Sequence, residues 1–460
     1  MPNSKRPHIV LITIDTLAAN HASLYGYGRP TTPNLERLAR EATVFERFYA
    51  NSNFTTATVN SFIHGVRPWT HRANQLKATP DFGIAEQGLV ARLRRAGYQT
   101  FAVSTNPWAA PFHVLADPWF DRITYGKVHR SVLIAQSEFF SRFPSAVSIH
   151  DLSIIEHFFA LFDWLLVRAH IWSLADHHDP ELAFSAARRF AETRDPAKPM
   201  FLWVHLLEPH DPYATQAPFV GRFDSSLRTL TRFNSTPPYH FSARRDESFP
   251  DRYVGRYDEA IASIDHHVGL FIDWLKKNGL FDNTLLVVSA DHGESFSHNY
   301  GGHAGPMLHE DLIRIPLIVK GPGQSVGKRL DVVAEQIDLM PTLLELADIP
   351  IEGPVEGRSL KPAIWGERME GAVFSMNLEQ SSRFGEWDTG SVAMIEGRWK
   401  YIHYRGKIKS PLMPKLEDSL YDLQADPDEN TNLVTAQPAI AAKMLAVIQE
   451  QLRRHSKLAQ

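Results

Sequence analysis

The 460-residue chain contains no cysteine. Disulfides and zinc–thiolate centres are therefore excluded, and the composition fits a reducing compartment. There is no strong excess of charge of either sign. Forty-eight Lys and Arg stand against 52 Asp and Glu, a formal net charge of −4, so no nucleic-acid partner is expected. No stretch has the length and purity of a transmembrane helix. The apolar run His8–Ile14 is too short for the core of a signal peptide and ends at once in Asp15. The expectation is a cytoplasmic protein in which this run is the first buried strand. No internal repeat is present. A hydrophobic content of 43% with 22% charged residues is ordinary for a soluble globular protein. The length allows two or three average domains or one large α/β unit.

What is present is an alternation of strand and helix patterns. Ile9–Ile14, Thr100–Ser104, Met200–Leu206, Thr284–Ser289 and Ile315–Val319 read as apolar strands. Helical patterns cover Pro33–Ala42, Ala85–Ala96 and Asp251–Asn278. The expectation is a mostly parallel sheet with helices on both faces. Beyond about residue 370 the texture changes to short strands, Ser391–Met394 and Trp399–Tyr404, joined through Gly397 and followed by a helix over Pro438–Arg454. Residues 1–370 are read as the main domain and 371–460 as a small C-terminal α+β subdomain with an antiparallel sheet. Residues 127–185 are read as a helical insertion. Its apolar stripe, Ile155, Phe158, Phe159, Phe162, Leu165, Leu166 and Trp172, belongs to a lid or core helix, or to an interfacial helix touching membrane or lipid through 150–172.

In open parallel sheets, ligands gather beyond the carboxyl ends of the strands. Asp15 follows the first strand, His210 lies shortly after the strand ending at Leu206, and Asp291-His292 follow the strand ending near Ala290. Asn106 follows Ser104, and His303 sits in Gly301-Gly302-His303-Ala304-Gly305, a glycine-rich setting expected to be flexible. Two adjacent hydroxyls, Thr55 and Thr56, precede a helical pattern whose free N–H groups favour an anion; the plainer reading is that both cap that helix. His64, His266, His267 and His309 read as structural, and His298 is left unassigned.

Several of these fragments, in this order, resemble the sulfatase branch of the alkaline phosphatase superfamily. They are His8-Ile-Val-Leu-Ile-Thr-Ile-Asp-Thr-Leu17, Asn53–Gly65, Glu208-Pro209-His210-Asp211-Pro212-Tyr213 with His205 upstream, Ser289-Ala-Asp-His-Gly-Glu294, Arg314-Ile-Pro-Leu317 and Ile337–Leu344. The tail pair Lys400-Tyr401-Ile402 and Leu420-Tyr-Asp-Leu423 is also similar. The resemblance covers nearly the whole chain. It implies an alkaline phosphatase-like fold and a hydrolase or transferase of phosphate or sulfate esters.

In that signature the nucleophile is an oxidisable Cys or Ser, two residues before a Pro, with a Ser-x-x-x-Gly tail. Here the positions read Thr55, Ala57 and Ser61 to Gly65, and Val59 stands where the family has Arg. Family members oxidise the Cys or Ser to a formylglycine aldehyde whose hydrate attacks sulfur. A threonine would give a ketone, and Val59 removes the Arg that supports the hydrate. Thr55 then acts directly on phosphorus through a phospho-threonine, as in the similar phosphoethanolamine and phosphoglycerol transferases, with Thr56 the rival nucleophile and a substrate contact. The resemblance places one divalent cation on Asp15, Thr55, Asp291 and His292. This oxygen and nitrogen set suits Mn²⁺ or Zn²⁺, with Ca²⁺ or Mg²⁺ as alternatives. The second acid that often follows the first is Thr16 here. His210 and His303 are expected to bind phosphoryl oxygens or protonate the leaving group, and Asn106 to contact the substrate. The substrate is a small-molecule or lipid- or glycan-linked phosphoester; the oligomeric state is left open. The competing readings are a sulfatase lacking formylglycine and a non-catalytic binding relative.

Overall fold

Strand β1 (His8–Ile14) is buried along nearly its whole length, and a strand apolar on both faces belongs in the middle of a covered sheet. The computed structural model describes residues 6–74, 78–110, 114, 116–125, 180–211, 213, 215, 218–223, 249–298, 300–378, 389–406 and 416–456. Along the chain follow β2 (Thr43–Tyr49), β3 (Gln99–Ser104), β4 (Arg122–Tyr125), β5 (Met200–Leu206), β6 (Thr284–Ala290), β7 (Arg314–Lys320) and β8 (Lys328–Glu335). They form one eight-stranded sheet in the order β4-β3-β5-β1-β6-β7-β2-β8. Only β7 runs against its neighbours; the other pairings are parallel. The mostly parallel sheet expected from the alternation is present.

Register shows that both faces are covered. Phe101 pairs with Leu202 and Ala102 with Trp203, so Phe101 and Trp203 point to opposite sides. Phe190 of helix Pro180–Glu192 stacks on Phe101 with centroids 5.2 Å apart. Phe62 of helix Thr55–His64 meets Trp203 edge to face at 6.0 Å. On the first side Phe184 stacks on Phe271 of the long helix Phe249–Lys277.

The helix expected over Ala85–Ala96 is two helices, Phe82–Glu86 and Leu89–Arg95. The break falls at Gly88, where a Cβ would lie 2.6 Å from His64 Nδ1, so the chain bends around a buried histidine. The first helix also ends earlier than expected, at Ala39. The second sheet holds β9 (Val373–Leu378), β10 (Gly390–Glu396), β11 (Trp399–Arg405) and β12 (Ser419–Asp422), all antiparallel in the order β12-β11-β10-β9. Helix Pro438–Ser456 packs on it through Met444 and Ile448. No helix among the described residues is long and apolar enough to cross a membrane. The apolar stripe at 150–172 and most of the expected insertion lie outside the described residues.

Candidate active site

The carboxyl ends of β1, β3, β5 and β6 open on one edge of the sheet, and the polar clusters collect there. Asp15 follows β1, and its backbone N–H donates to Leu206 O at the end of β5 (2.9 Å). The N–H of Asp291, after β6, donates to Ile14 O (3.2 Å). The ends of three neighbouring strands thus lock the two carboxylates side by side. Gln336 ties in the next layer: its side chain donates to Asp291 O (2.6 Å) and accepts from Asn51 N (3.0 Å).

Each side chain of this group has one atom engaged with the protein and another turned inward. Asp291 Oδ1 accepts from the backbone N–H of Thr16 (3.0 Å) and His292 (2.7 Å), while its Oδ2 has no hydrogen-bond partner. Asp15 Oδ2 accepts from Asn106 Nδ2, while its Oδ1 has no hydrogen-bond partner. His292 Nδ1 donates to Gly293 O (2.9 Å), which leaves Nε2 as the lone-pair atom; this lies 3.2 Å from Thr55 Oγ1. All four residues are buried.

From His292 Nε2 the distances to Asp15 Oδ1 and Asp291 Oδ2 are 3.8 and 3.6 Å. Tetrahedral bonds of ~2.0–2.1 Å put ligand atoms about 3.3 Å apart. Buried, unpaired carboxylate oxygens at such spacings fit a divalent cation, and Asp15, Asp291 and His292 bring their ligand atoms within 4.8 Å of one another. Burial pushes the Asp15 and Asp291 carboxyls up and the His292 ring down. A bound cation works the other way on the carboxyls and uses the neutral ring as a ligand.

Thr16 contributes its backbone. Its φ of 52° is left-handed, and its carbonyl accepts from Tyr257 Oη. That turn aims the Thr16 N–H at Asp291.

Helix Thr55–His64 begins at Thr55 itself, and no side chain caps it. The plain capping reading of the two hydroxyls is therefore not what the structure holds. Thr55 Oγ1 faces His292, whereas Thr56 Oγ1 is buried with no hydrogen-bond partner. The first-turn N–H groups of such a helix lack carbonyl partners within it and favour an anion beside Thr55. Asn106 uses its Oδ1 to accept from Trp108 N (2.7 Å) and its Nδ2 to hold Asp15. It orients Asp15.

His210 and His303 meet edge to face with centroids 4.7 Å apart, and His303 lies 4.7 Å from the His292 ring. Burial opposes a charge on His210, but Asp211 and Asp15 outweigh it and carry the pKa up to about 9. Burial lowers His303 to about 3. The glycine-rich loop holding His303 is firmly anchored. Ala304 N donates to Asn53 O (3.0 Å), Asn53 Nδ2 donates to Gly305 O and Met307 O (2.6 and 2.8 Å), and Tyr300 Oη donates to His303 O (2.8 Å). The flexibility suggested by its glycines is offset by the residues just ahead of Thr55.

Three side chains at this site had no role in the sequence reading. His205 Nε2, with no hydrogen-bond partner, lies 3.5 Å from Asp15 Oδ2. Its Nδ1 lies 2.8 Å from Thr13 Oγ1, itself an acceptor for Trp203 Nε1. Asp211 and Glu294 flank the histidines: His303 Nδ1 is 3.1 Å from Glu294 Oε2, and His210 Nδ1 is 3.3 Å from Asp211 Oδ1. All three stood inside recognised fragments, but only a strand register or a loop return shows where they point. Of the histidines read as structural, His64 Nε2 donates to Val114 O (2.9 Å), and His309 stacks on the His298 ring.

Comparison with known proteins gives a consistent result. The sulfatase family profile matches residues 7–349. A second profile, the C-terminal part of N-sulphoglucosamine sulphohydrolase, matches residues 299–457. An arylsulfatase of Clostridium perfringens is 24% identical over 94% of this chain and 91% of its own length. The structure of BT4656 in complex with D-glucosamine-2-N,6-O-disulfate superposes with a TM-score of 0.71, at 17% identity, over 98% of this chain and 99% of that one. The phosphonate monoester hydrolase of Agrobacterium radiobacter gives the same TM-score at 19% identity, over 98% and 96% of the two chains.

Proposed function

The chain belongs to the sulfatase family and is a hydrolase of that family; from this premise we propose that it cleaves phosphate esters by direct attack of Thr55, through a covalent phospho-threonine. One observation carries the reading. A threonine, which cannot become an aldehyde, has its Oγ1 3.2 Å from His292 Nε2, within the group of buried atoms that fits a cation.

A divalent ion held by Asp15, Asp291, His292 and Thr55 Oγ1 would supply the positive charge that makes the hydroxyl acidic and offsets charge on the phosphoryl oxygens. Everything else is work for the chain's own groups. Thr55 Oγ1 loses its proton to solvent and bonds to phosphorus as the ester P–O bond breaks. His210 gives its proton to the departing oxygen. Water then breaks the Oγ1–P bond, restores the hydroxyl and releases phosphate. The uncapped start of helix Thr55–His64 faces the phosphoryl oxygens. Asn106 keeps Asp15 in its ligating orientation.

Sulfate esters are the competing substrates, favoured by the arylsulfatase relative. A sulfated threonine has no second hydroxyl on the same carbon to help expel sulfate, which is why phosphorus is preferred here. The test is a panel of an aryl phosphate, an aryl phosphonate monoester and an aryl sulfate, assayed at matched concentration with Mn²⁺ or Zn²⁺. Faster phosphate turnover supports the reading. Much faster sulfate turnover, with Thr55 unmodified by mass spectrometry, overturns it.

A further inference from the structure

Next to Asp15, three buried side chains form a relay that no step of the reaction uses. Trp203 Nε1 donates to Thr13 Oγ1 (2.9 Å), and Thr13 Oγ1 lies 2.8 Å from His205 Nδ1. All three residues are fully buried. Strand register sets them side by side, since Thr13 of β1 pairs with His205 of β5 and Leu11 with Trp203. Trp203 and His205, two residues apart, share one face of the sheet. Phe62 of the helix that starts at Thr55 packs on Trp203, so this is the face that carries the nucleophile's helix.

The hydrogens along the relay have one arrangement. An indole nitrogen can only donate, so Thr13 Oγ1 accepts from Trp203. Among the described residues, the acceptor left for the single hydroxyl hydrogen of Thr13 is His205 Nδ1. A ring nitrogen that accepts carries no hydrogen, which makes His205 neutral and places its hydrogen on Nε2. That Nε2 is buried without a hydrogen-bond partner, and a buried N–H left unpaired is costly. The carboxylate oxygen beside it is Asp15 Oδ2, 3.5 Å away. The same oxygen accepts from Asn106 Nδ2, while Asp15 Oδ1 meets no protein donor.

We propose that His205, at the end of β5, is a positioning residue for Asp15. Its Nε2–H is a second donor on Oδ2, beside Asn106, and the Trp203–Thr13 pair fixes the tautomer that makes it one. With the hydrogen on Nδ1 instead, Nε2 would turn a lone pair on the carboxylate and compete with it as a ligand. Hydrogen bonds from behind orient a ligating carboxylate, and here they leave Oδ1 as the oxygen offered. The inference rests on the reading of Asp15, Asp291 and His292 as cation ligands. It does not depend on which hydroxyl attacks.

The experiment reads tautomer and metal affinity separately on the full chain. Proton–nitrogen correlation spectra of metal-stripped protein with isotope-labelled histidine show which ring nitrogen carries the hydrogen. The His205 signal is the one missing from His205→Gln. The hydrogen is expected on Nε2 in the native protein and in Thr13→Ser, and that preference should be lost in Thr13→Val. Zn²⁺ affinity is then measured by competition with a chromogenic chelator. Thr13→Val and His205→Leu should bind about 10–100-fold more weakly. Thr13→Ser keeps the hydroxyl, and His205→Gln can donate from nearly the same place, so both should bind as the native protein does. Should His205→Leu fail to fold, Thr13→Val decides, because it exchanges only a hydroxyl for a methyl. A hydrogen on Nδ1 in the native protein overturns the proposal. So does a folded Thr13→Val that keeps the native tautomer or the native affinity, or a His205→Gln as weak as His205→Leu. These results leave the cation reading standing; a native protein that binds no Zn²⁺ defeats that reading and the proposal together.

Discussion

Lys400 is fully buried in β11, and its charge joins the second sheet to the segment that follows the His303 loop. Its Nζ lies 3.1 Å from Glu310 Oε1 and 2.8 Å from Glu429 Oε1. Glu310 N donates to Glu429 Oε2 (2.6 Å). Burial disfavours charge on Lys400, but the two carboxylates hold its pKa above the ordinary lysine value. Replacing it by methionine keeps most of the volume and leaves two carboxylates facing each other away from water. Breaking a buried ion pair from one side costs about 3–5 kcal/mol, against a total stability of roughly 5–15 kcal/mol for a typical domain. Lys400→Met should lower the urea midpoint strongly, read by the fluorescence of Trp399 next to it in β11. The triple variant Lys400→Met, Glu310→Gln, Glu429→Gln should recover most of that loss, because no charge is then stranded. A single variant within about 0.5 kcal/mol of the native protein, the range of ordinary surface changes, would refute the reasoning and make the triad a solvated one. So would a triple variant weaker than the single one.

Thr55→Ala should lose several orders of magnitude in turnover, while the loss of one hydrogen bond to His292 costs only about 1–3 kcal/mol of stability. Thr55→Ser should retain activity and Thr56→Ala should be mild; a dead Thr56→Ala beside an active Thr55→Ala would move the nucleophile by one residue. Asn106→Ala frees Asp15 Oδ2 and should weaken metal binding roughly 10–100-fold, measured by competition with a chromogenic chelator; unchanged affinity would mean that Asp15 is held by the strand ends alone. His64 is fully buried, and burial lowers its pKa from 6.5 to about 4. Its neutral form therefore contributes stability that is complete above about pH 6.5 and is lost as pH falls towards 4. The loss approaches about 1.4 kcal/mol per pH unit across that window, on the order of 3 kcal/mol in total. His64→Gln should flatten the pH dependence of the thermal midpoint between pH 6.5 and 4, and an unchanged slope would contradict the assignment.

Much of the site was legible because parallel strands make a simple promise. A polar residue just after an apolar strand lies at the carboxyl edge of a parallel sheet, and Asp15, Asp291 and Asn106 all lie there. Their individual atoms were not legible. That Asp291 spends Oδ1 on two backbone N–H groups, and that Asn106 holds Asp15, depends on contacts between strands far apart in sequence. The split at Gly88 was hidden because an unbroken amphipathic pattern continues through it, and only the neighbouring His64 ring explains the bend. Lys400 reads as an ordinary strand lysine between Trp399 and Tyr401. Its burial follows from the return of Glu310 and Glu429, which no local pattern announces. Glu294 and Asp211 were overlooked because each lies within two residues of a histidine with a stronger signal.

The most direct measurement of the central claim is mass spectrometry of peptides from protein quenched in acid during turnover of an aryl phosphate with Zn²⁺ or Mn²⁺. Threonine attack predicts a phosphoryl group on Thr55, absent without substrate and absent from Thr55→Ala. Turnover at full rate with Thr55 unmodified in every quenched sample, and Thr55→Ala equally active, would contradict it and leave water as the attacking group.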